Sequence, residues 1–328
     1  MIEPFPWVPG AAGAWLTERL GSGDEVLDDT VPDGFDVVIR ILPPFTRDRP
    51  ETGTFAEWEA QAESVDWASA PELLTEPVSW ADTAAALGRD LEDVPRSWEL
   101  LGAAYGERDD ALAADGWRYS IPREGTLPPE LFTRVLDVLA RQTATPDSGV
   151  AGVWEGYGGL VSAQGVGWFF AVPDPPRWIP RPLLHIGLRA MQHVLSFRER
   201  RRRFGTAAAV RSVFFPALEQ PPGSGVLPRE AARGERISLP GRDYVCFAAG
   251  PRELAEQSWP VRAPWIPADE RAEPQSPNIV WPEGREWVLV SEIDFDSTLV
   301  ACSAACAGAL LADPEIEAHR VWRSTSLF

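Results

Sequence analysis

Three carboxylates spaced by two residues, Glu292, Asp294 and Asp296, follow the apolar run Trp287-Val288-Leu289-Val290. Successive side chains of a strand point to opposite faces. That spacing places all three acids on one face and turns Ile293 and Phe295 inward. Such a row can be a solvated strand face. It can also be an oxygen-ligand site for Mg²⁺ or Ca²⁺, which take carboxylate oxygens, and a cation held there would serve a metal-dependent hydrolase or phosphatase.

The opposite charge is concentrated elsewhere. The segment Phe197 to Phe204 carries Arg198, Arg200, Arg201, Arg202 and Arg203, and from Arg177 to Arg211 only one acid, Glu199, interrupts the basic residues. Phosphates, RNA, anionic lipid or a partner could bind this reversal of charge, and so could the protein's own acidic surface. The chain as a whole has 49 acidic and 30 basic residues and a formal net charge of −19. That balance opposes nucleic-acid binding by the whole molecule and favours solubility or basic partners.

Other chemistry is thin. The sequence contains no lysine, so all 30 bases are arginines. A Schiff-base lysine and a standard phosphate-binding loop with its lysine are excluded. Arginine offers a fixed charge and a bidentate fork but does not lose its proton to act as a base. Cys302 and Cys306 share a helix face, yet the alanines around them suit tight packing, and no adjacent His or second Cys pair completes a zinc set. His185, His193 and His319 show no ligand spacing, and no Gly-x-Ser-x-Gly elbow occurs. Gly156-Tyr157-Gly158-Gly159 reads as a turn. No cofactor is expected, apart from Mg²⁺ or Ca²⁺ on the alternative metal reading.

The elements that must position these residues come from periodicity. Phe35 to Leu42 is rich in β-branched residues and ends at Pro43-Pro44, a strand signature. Gly10 to Leu20, Pro128 onwards (with Leu131, Val135, Leu136, Val138 and Leu139 on one face) and Ser303 to Leu311 have helical spacing. Val150 to Tyr157, Arg242 to Ala248, Glu286 to Asp294, Ser297 to Val300 and Glu317 to Trp322 read as strands, and Arg252 to Gln257 as a short helix. Residues 46–120 are acidic and weakly periodic, with Trp58, Trp67, Trp80, Trp98 and Trp117 expected to pin short helices and loops to the core. Without regular βαβ alternation, the expectation is α+β: a mainly antiparallel sheet with packed helices and an irregular basic insertion. One domain over residues 1–328, with the insertion at 173–235, fits this order.

No run of about 18 apolar residues is present, and Met1 to Trp7 lacks the pattern of a secretory signal. Three cysteines, an odd number, argue for a reducing compartment. A cytoplasmic protein is expected.

Two resemblances follow from quoted residues. Asp294-Phe295-Asp296-Ser297-Thr298-Leu299 after an apolar strand resembles the nucleophile motif of haloacid-dehalogenase-type phosphatases. That resemblance implies Asp294 as phosphoryl acceptor, Asp296 as acid/base and a bound Mg²⁺. The family carries this motif near the start of a large doubly wound domain, whereas here it lies near the chain's end.

More of the chain resembles a group of actinobacterial proteins with no assigned role. Its tail has a Trp-Pro (Trp281-Pro282), a Trp-led strand ending in Glu292-Ile293-Asp294, and a Leu310-Leu311-Ala312-Asp313-Pro314 helix end. Phe35 to Pro44, Gly125 to Pro128, Thr143 to Asp147, Val153 to Tyr157 and Leu239 to Tyr244 are similar to the same group, which leaves 173–235 uncovered. The group carries Gly-Gly-Ser where Ala301-Cys302-Ser303 stands, and often a His where Pro43 stands. The resemblance implies a shared fold and no mechanism.

Function is therefore read first as non-catalytic: a protein-binding module of an immunity-like or regulatory kind. A metal-dependent hydrolase on Glu292, Asp294 and Asp296 and a polyanion binder through Arg198 to Arg203 are the alternatives.

Overall fold

A computed structural model describes residues 3–21, 27, 29–57, 72–91, 96–162, 222–267, 273–322 and 325. Its strands, in chain order, begin with β1 (Trp7–Val8), β2 (Val37–Ile41), β3 (Phe45–Pro50), β4 (Leu73–Val78), β5 (Asp110–Leu112) and β6 (Arg118–Ser120). They continue with β7 (Gly149–Trp154), β8 (Ile237–Leu239), β9 (Arg242–Ala248), β10 (Ile279–Pro282), β11 (Val288–Val290), β12 (Thr298–Cys302) and β13 (Ala318–Val321). The larger sheet runs β1-β9-β7-β10-β11-β12-β2-β13, with β8 also on β9; the smaller runs β4-β3-β6-β5. Every pairing is antiparallel. With its packed helices this is an α+β fold built on mainly antiparallel sheet.

The apolar runs are continuous because the large sheet is covered on both faces. Along β2, Val37, Ile39 and Ile41 join one core while Val38 faces the other side. Along β11, Leu289 faces the first core and Val288 and Val290 the second. The first face is covered by helix Pro129–Ala140, whose Phe132, Val135, Leu136 and Leu139 are fully buried. Each such side chain contributes about 1.5–3 kcal/mol on burial. Pro129 starts this helix where a missing N–H costs nothing, and Trp287 Nε1 donates to the Leu139 carbonyl at 3.0 Å, locking its end to β11. On the opposite face Trp15 meets Trp281 edge-on, with ring centroids 6.1 Å apart.

Residues 46–120 depart from the expected short helices and loops: they contain the second sheet. Charged Arg47, Arg49, Glu76 and Arg118 stand on it beside exposed Leu73, Leu74 and Leu112, so hydrophobic alternation does not reveal it. Ion pairs supply the cross-strand contacts instead. Arg47 Nε donates to Glu76 at 2.7 Å from β3 to β4, and Arg118 Nε to Asp48 at 2.9 Å from β6 to β3. Arg47 and Arg49 both lie 4.6 Å from the Trp117 ring. Beneath them Phe45, Trp80, Leu100 and Tyr119 form a separate core, and Trp80 Nε1 donates to the Pro43 carbonyl at 2.7 Å. Helices Trp80–Leu87 and Ser97–Leu100 pack there. Trp58 and Trp67 lie outside the described residues.

The basic insertion lies largely outside the described residues as well. Its last part, 222–235, belongs to the main core: helix Arg229–Arg233 buries Ala231 and Ala232, and Leu227 is buried beside them.

Candidate functional site

The row of carboxylates is not on a strand. β11 stops at Val290 and β12 starts at Thr298, so residues 291–297 form the connecting turn. Two contacts end the strand. Ser291 Oγ lies 2.6 Å from Thr298 Oγ1 across the hairpin, and Phe295 N donates back to the Glu292 carbonyl at 3.0 Å. Gly125 then clamps the turn from outside. Its N–H donates to the Phe295 carbonyl at 3.0 Å, and a Cβ there would stand 2.7 Å from Ile293 Cα. Asn278 supports the same turn, donating from Nδ2 to the Ser291 carbonyl at 3.1 Å and to Tyr157 Oη at 2.9 Å.

The three acids therefore separate. Glu292 Oε1 accepts from Arg242 Nε at 2.9 Å and from Nη2 at 2.7 Å, and Asp294 Oδ2 accepts from that same Nη2. Arg242 is held above its ordinary pKa, first by the Glu292 hydrogen bond. Asp296 turns the other way. Its Oδ1 accepts from Arg40 Nη2 at 2.9 Å and its Oδ2 from the Ser97 N–H at 2.7 Å. Arg40 comes from β2 and is 1 % exposed. The strand-face geometry expected for Glu292, Asp294 and Asp296 is thus replaced by two arginine-centred clusters. Among the described residues no group of three or more His, Cys, Asp or Glu is arranged to hold a metal ion.

Other singled-out residues are placed as follows. Cys302 ends β12 and Cys306 sits in helix Ala304–Leu311; both are buried in the main core. His319 on β13 pairs in register with Arg40. Burial lowers its pKa, Glu317 opposes that shift, and Arg40 adds to it. His185, His193 and Arg198, Arg200, Arg201, Arg202 and Arg203 lie outside the described residues.

A concavity lies where helix Pro129–Ala140 faces the small sheet. It has a volume of about 970 Å³ and is floored by Glu130, Leu131, Arg134 and Asp137, with Pro77 and Glu317 on its walls. A second cavity of about 500 Å³ continues it around the start of that helix, since Pro44, Pro77, Pro128 and Glu130 line both. Eight prolines line the pair, and proline fixes backbone φ. The walls are preformed for this reason. Six carboxylates line them against two arginines.

Glu317 also joins the two sheets. Its Oε2 accepts from the Trp80 N–H at 2.8 Å and its Oε1 from the Ala81 N–H at 3.0 Å, so a residue beside β13 caps a helix of the small sheet's core. Ser79 caps the same helix, its Oγ accepting from the Asp82 N–H. Sequence reasoning missed Arg40, Arg242, Glu317 and the cleft. Arg40 carried the one available signal: a lone charge inside a run of β-branched residues. The cleft joins segments distant in sequence, and no local pattern marks it.

Comparisons with protein-family profiles, with curated proteins and with solved structures each give no match.

Proposed function

We propose that this chain is a non-catalytic module that binds another protein, and that it does so through the cleft between helix Pro129–Ala140 and the small sheet. The observation that carries the reading is the cleft itself, about 970 Å³ with a continuation of about 500 Å³. Its proline-rich walls are preorganised, which reduces the ordering cost of binding. Binding grooves between packed layers are a recurrent location for recognition sites. The carboxylates of residues 291–297 are engaged by Arg242 and Arg40, so they serve the frame that holds the cleft's two sides.

Membership in the actinobacterial group belongs to this proposal. Three segments that carry the resemblance, Phe35 to Pro44, Gly125 to Pro128 and the tail from Leu310, contribute residues to the cleft lining. The three buried free cysteines fit a reducing compartment, and the cytoplasm is the compartment proposed.

Photo-crosslinking tests the reading. Benzoylphenylalanine replaces Leu131 in the cleft, or Leu112, which is 56 % exposed on β5 and outside the lining. Irradiation in the native host is expected to give a discrete protein adduct from position 131 and none from 112. No adduct at 131, or equal adducts at both, overturns it.

A further inference from the structure

Resting on the cleft as the protein-binding site, we infer that its occupant is an extended segment of another protein that adds as a further strand to the free edge of β4.

The main chain of β4 is the first argument. Glu51 N–H donates to the Glu72 carbonyl at 2.9 Å, and the β3–β4 ladder continues with Arg49 opposite Leu74, Arg47 opposite Glu76 and Phe45 opposite Val78. Hydrogen-bonded pairs recur at every second residue of an antiparallel ladder. Leu74, Glu76 and Val78 therefore direct their main-chain groups to β3, while Leu73, Thr75 and Pro77 turn theirs away from it. The prolines obey the same register. Pro77, and Pro50 opposite Leu73, stand where a missing N–H breaks no bond between these two strands. β4 ends the small sheet, and among the described residues nothing pairs with its outer side. The N–H groups of Leu73 and Thr75 and the carbonyls of Leu73, Thr75 and Pro77 are left in one row.

Such a row selects its occupant. A further strand matches its spacing of donors and acceptors, whereas a helix pairs its N–H and C=O groups internally. Two copies of this chain carry a formal net charge of −19 each and repel, so the strand comes from a different protein.

Position and side chains are the second argument. Thr75, Glu76 and Pro77 line the cavity of about 500 Å³, and Pro77 and Val78 the one of about 970 Å³, so the edge leads into the cleft. Residues 73–77 are all exposed. Successive strand residues face opposite ways, which puts Leu73 on one face of the sheet and Leu74 on the other, at 39 % and 40 % exposure. An added strand covers both with two consecutive apolar residues, making one cross-strand contact on each face.

The test builds on the photo-crosslink at position 131. Thr75→Pro removes the outward N–H and puts a ring in its place, while Leu74 and Glu76 keep their bonds to β3. Thr75→Val changes the side chain and keeps the N–H. With folding checked by melting curves, the adduct from position 131 is expected to fall about tenfold in Thr75→Pro, through a lost hydrogen bond and a blocked edge, and to persist in Thr75→Val. An undiminished adduct in folded Thr75→Pro, or equal loss in both variants, overturns the inference. Benzoylphenylalanine at Leu73, outside the lining of both cavities, decides the case without either variant. It is expected to capture the same protein as position 131, because one segment spans both. Its failure to do so, or an adduct made of two copies of this chain, overturns the inference. A crosslink at 131 that is indifferent to Thr75→Pro sinks strand addition and leaves the protein-binding reading standing. No crosslink at 131 removes both.

Discussion

Arg40 Nη2 and Asp296 Oδ1 are 256 residues apart in sequence and 2.9 Å apart in space. Both side chains are buried, at 2 % and 8 % exposure. The pair connects three pieces: β2, the turn after β11, and helix Ser97–Leu100, whose first N–H donates to the other Asp296 oxygen. Arg40 Nε adds a bond to Ser297 Oγ at 2.9 Å, and its guanidinium lies 5.4 Å from the Trp80 ring centroid. One arginine thus touches both the large sheet's hairpin and the small sheet's core.

Removing one partner leaves the other charge buried without compensation, which costs about 3–5 kcal/mol. Arg40→Met is expected to lower unfolding free energy by that amount in urea titrations. Arg40→Met with Asp296→Leu removes both charges and is expected to recover part of the loss. A single variant as stable as the parent would mean that the pair does not hold the sheets together.

Glu317 is the second link between the sheets. Side-chain capping of a helix contributes about 1 kcal/mol, with a range of about 0.5–2. Glu317→Ala is expected to lose about that much, and Glu317→Gln, which keeps one carbonyl acceptor, less. Ser79→Ala removes the other cap of helix Trp80–Leu87 and serves as the internal standard in the same titrations.

The order of these elements was largely legible in the sequence, and their long-range partners were not. Phe35 to Leu42 and Arg242 to Ala248 became β2 and β9 because apolar, β-branched residues suit a sheet buried on both faces. Pro128-Pro129 and the apolar face behind it gave helix Pro129–Ala140. β3 and β6 escaped because only Phe45 and Tyr119 among their residues face an apolar core, and the Arg, Asp, Thr and Ser side chains between them form no hydrophobic alternation. The row Glu292, Asp294 and Asp296 misled for a related reason. Its period of two matches a strand, but Gly125 and Thr298 fold it into a turn from outside the local window.

The cysteines give a third expected outcome. Cys246, Cys302 and Cys306 are each 2 % exposed or less. Burial pushes the Cys246 thiol up to about 12, and the hydrogen bond between Cys302 and Cys306 pushes Cys302 up and Cys306 down, so Cys306 is shielded by its burial alone. The thiolate is the reactive form. A disulfide reagent added to the native protein is expected to detect no thiol, and all three after denaturation. Fast native labelling at Cys306 would show that helix Ala304–Leu311 opens locally.

Gly125 has φ +69° and its missing Cβ faces backbone rather than a flexible side chain. Gly125→Ala therefore meets both a left-handed backbone and the Ile293 Cα. A residue held in such a region costs about 1–3 kcal/mol, and displacement of the turn adds to it. The expected result is a lower melting temperature with loss of protection of the amide at position 125, which donates to the Phe295 carbonyl. Unchanged stability would show that the turn is held by Asn278 and Ser291 alone.

Glu124 sets the pH dependence that is simplest to isolate. Burial raises its pKa above the ordinary glutamate value of 4.5, and Asp294, Asp296 and Asp109 raise it further. A carboxyl raised in the folded state binds its proton more tightly there than in the unfolded chain. Its contribution to stability is therefore fully present below the unfolded value and is lost as pH rises through the raised value. Glu124→Gln stays neutral throughout. It is expected to match the parent at about pH 4 and to be more stable at about pH 7, the difference opening between the ordinary glutamate value and the raised one. Melting curves of both proteins across that range measure it directly. A parent more stable than the variant at neutral pH would mean that the Glu124 carboxylate is stabilised by a cation rather than crowded by acids.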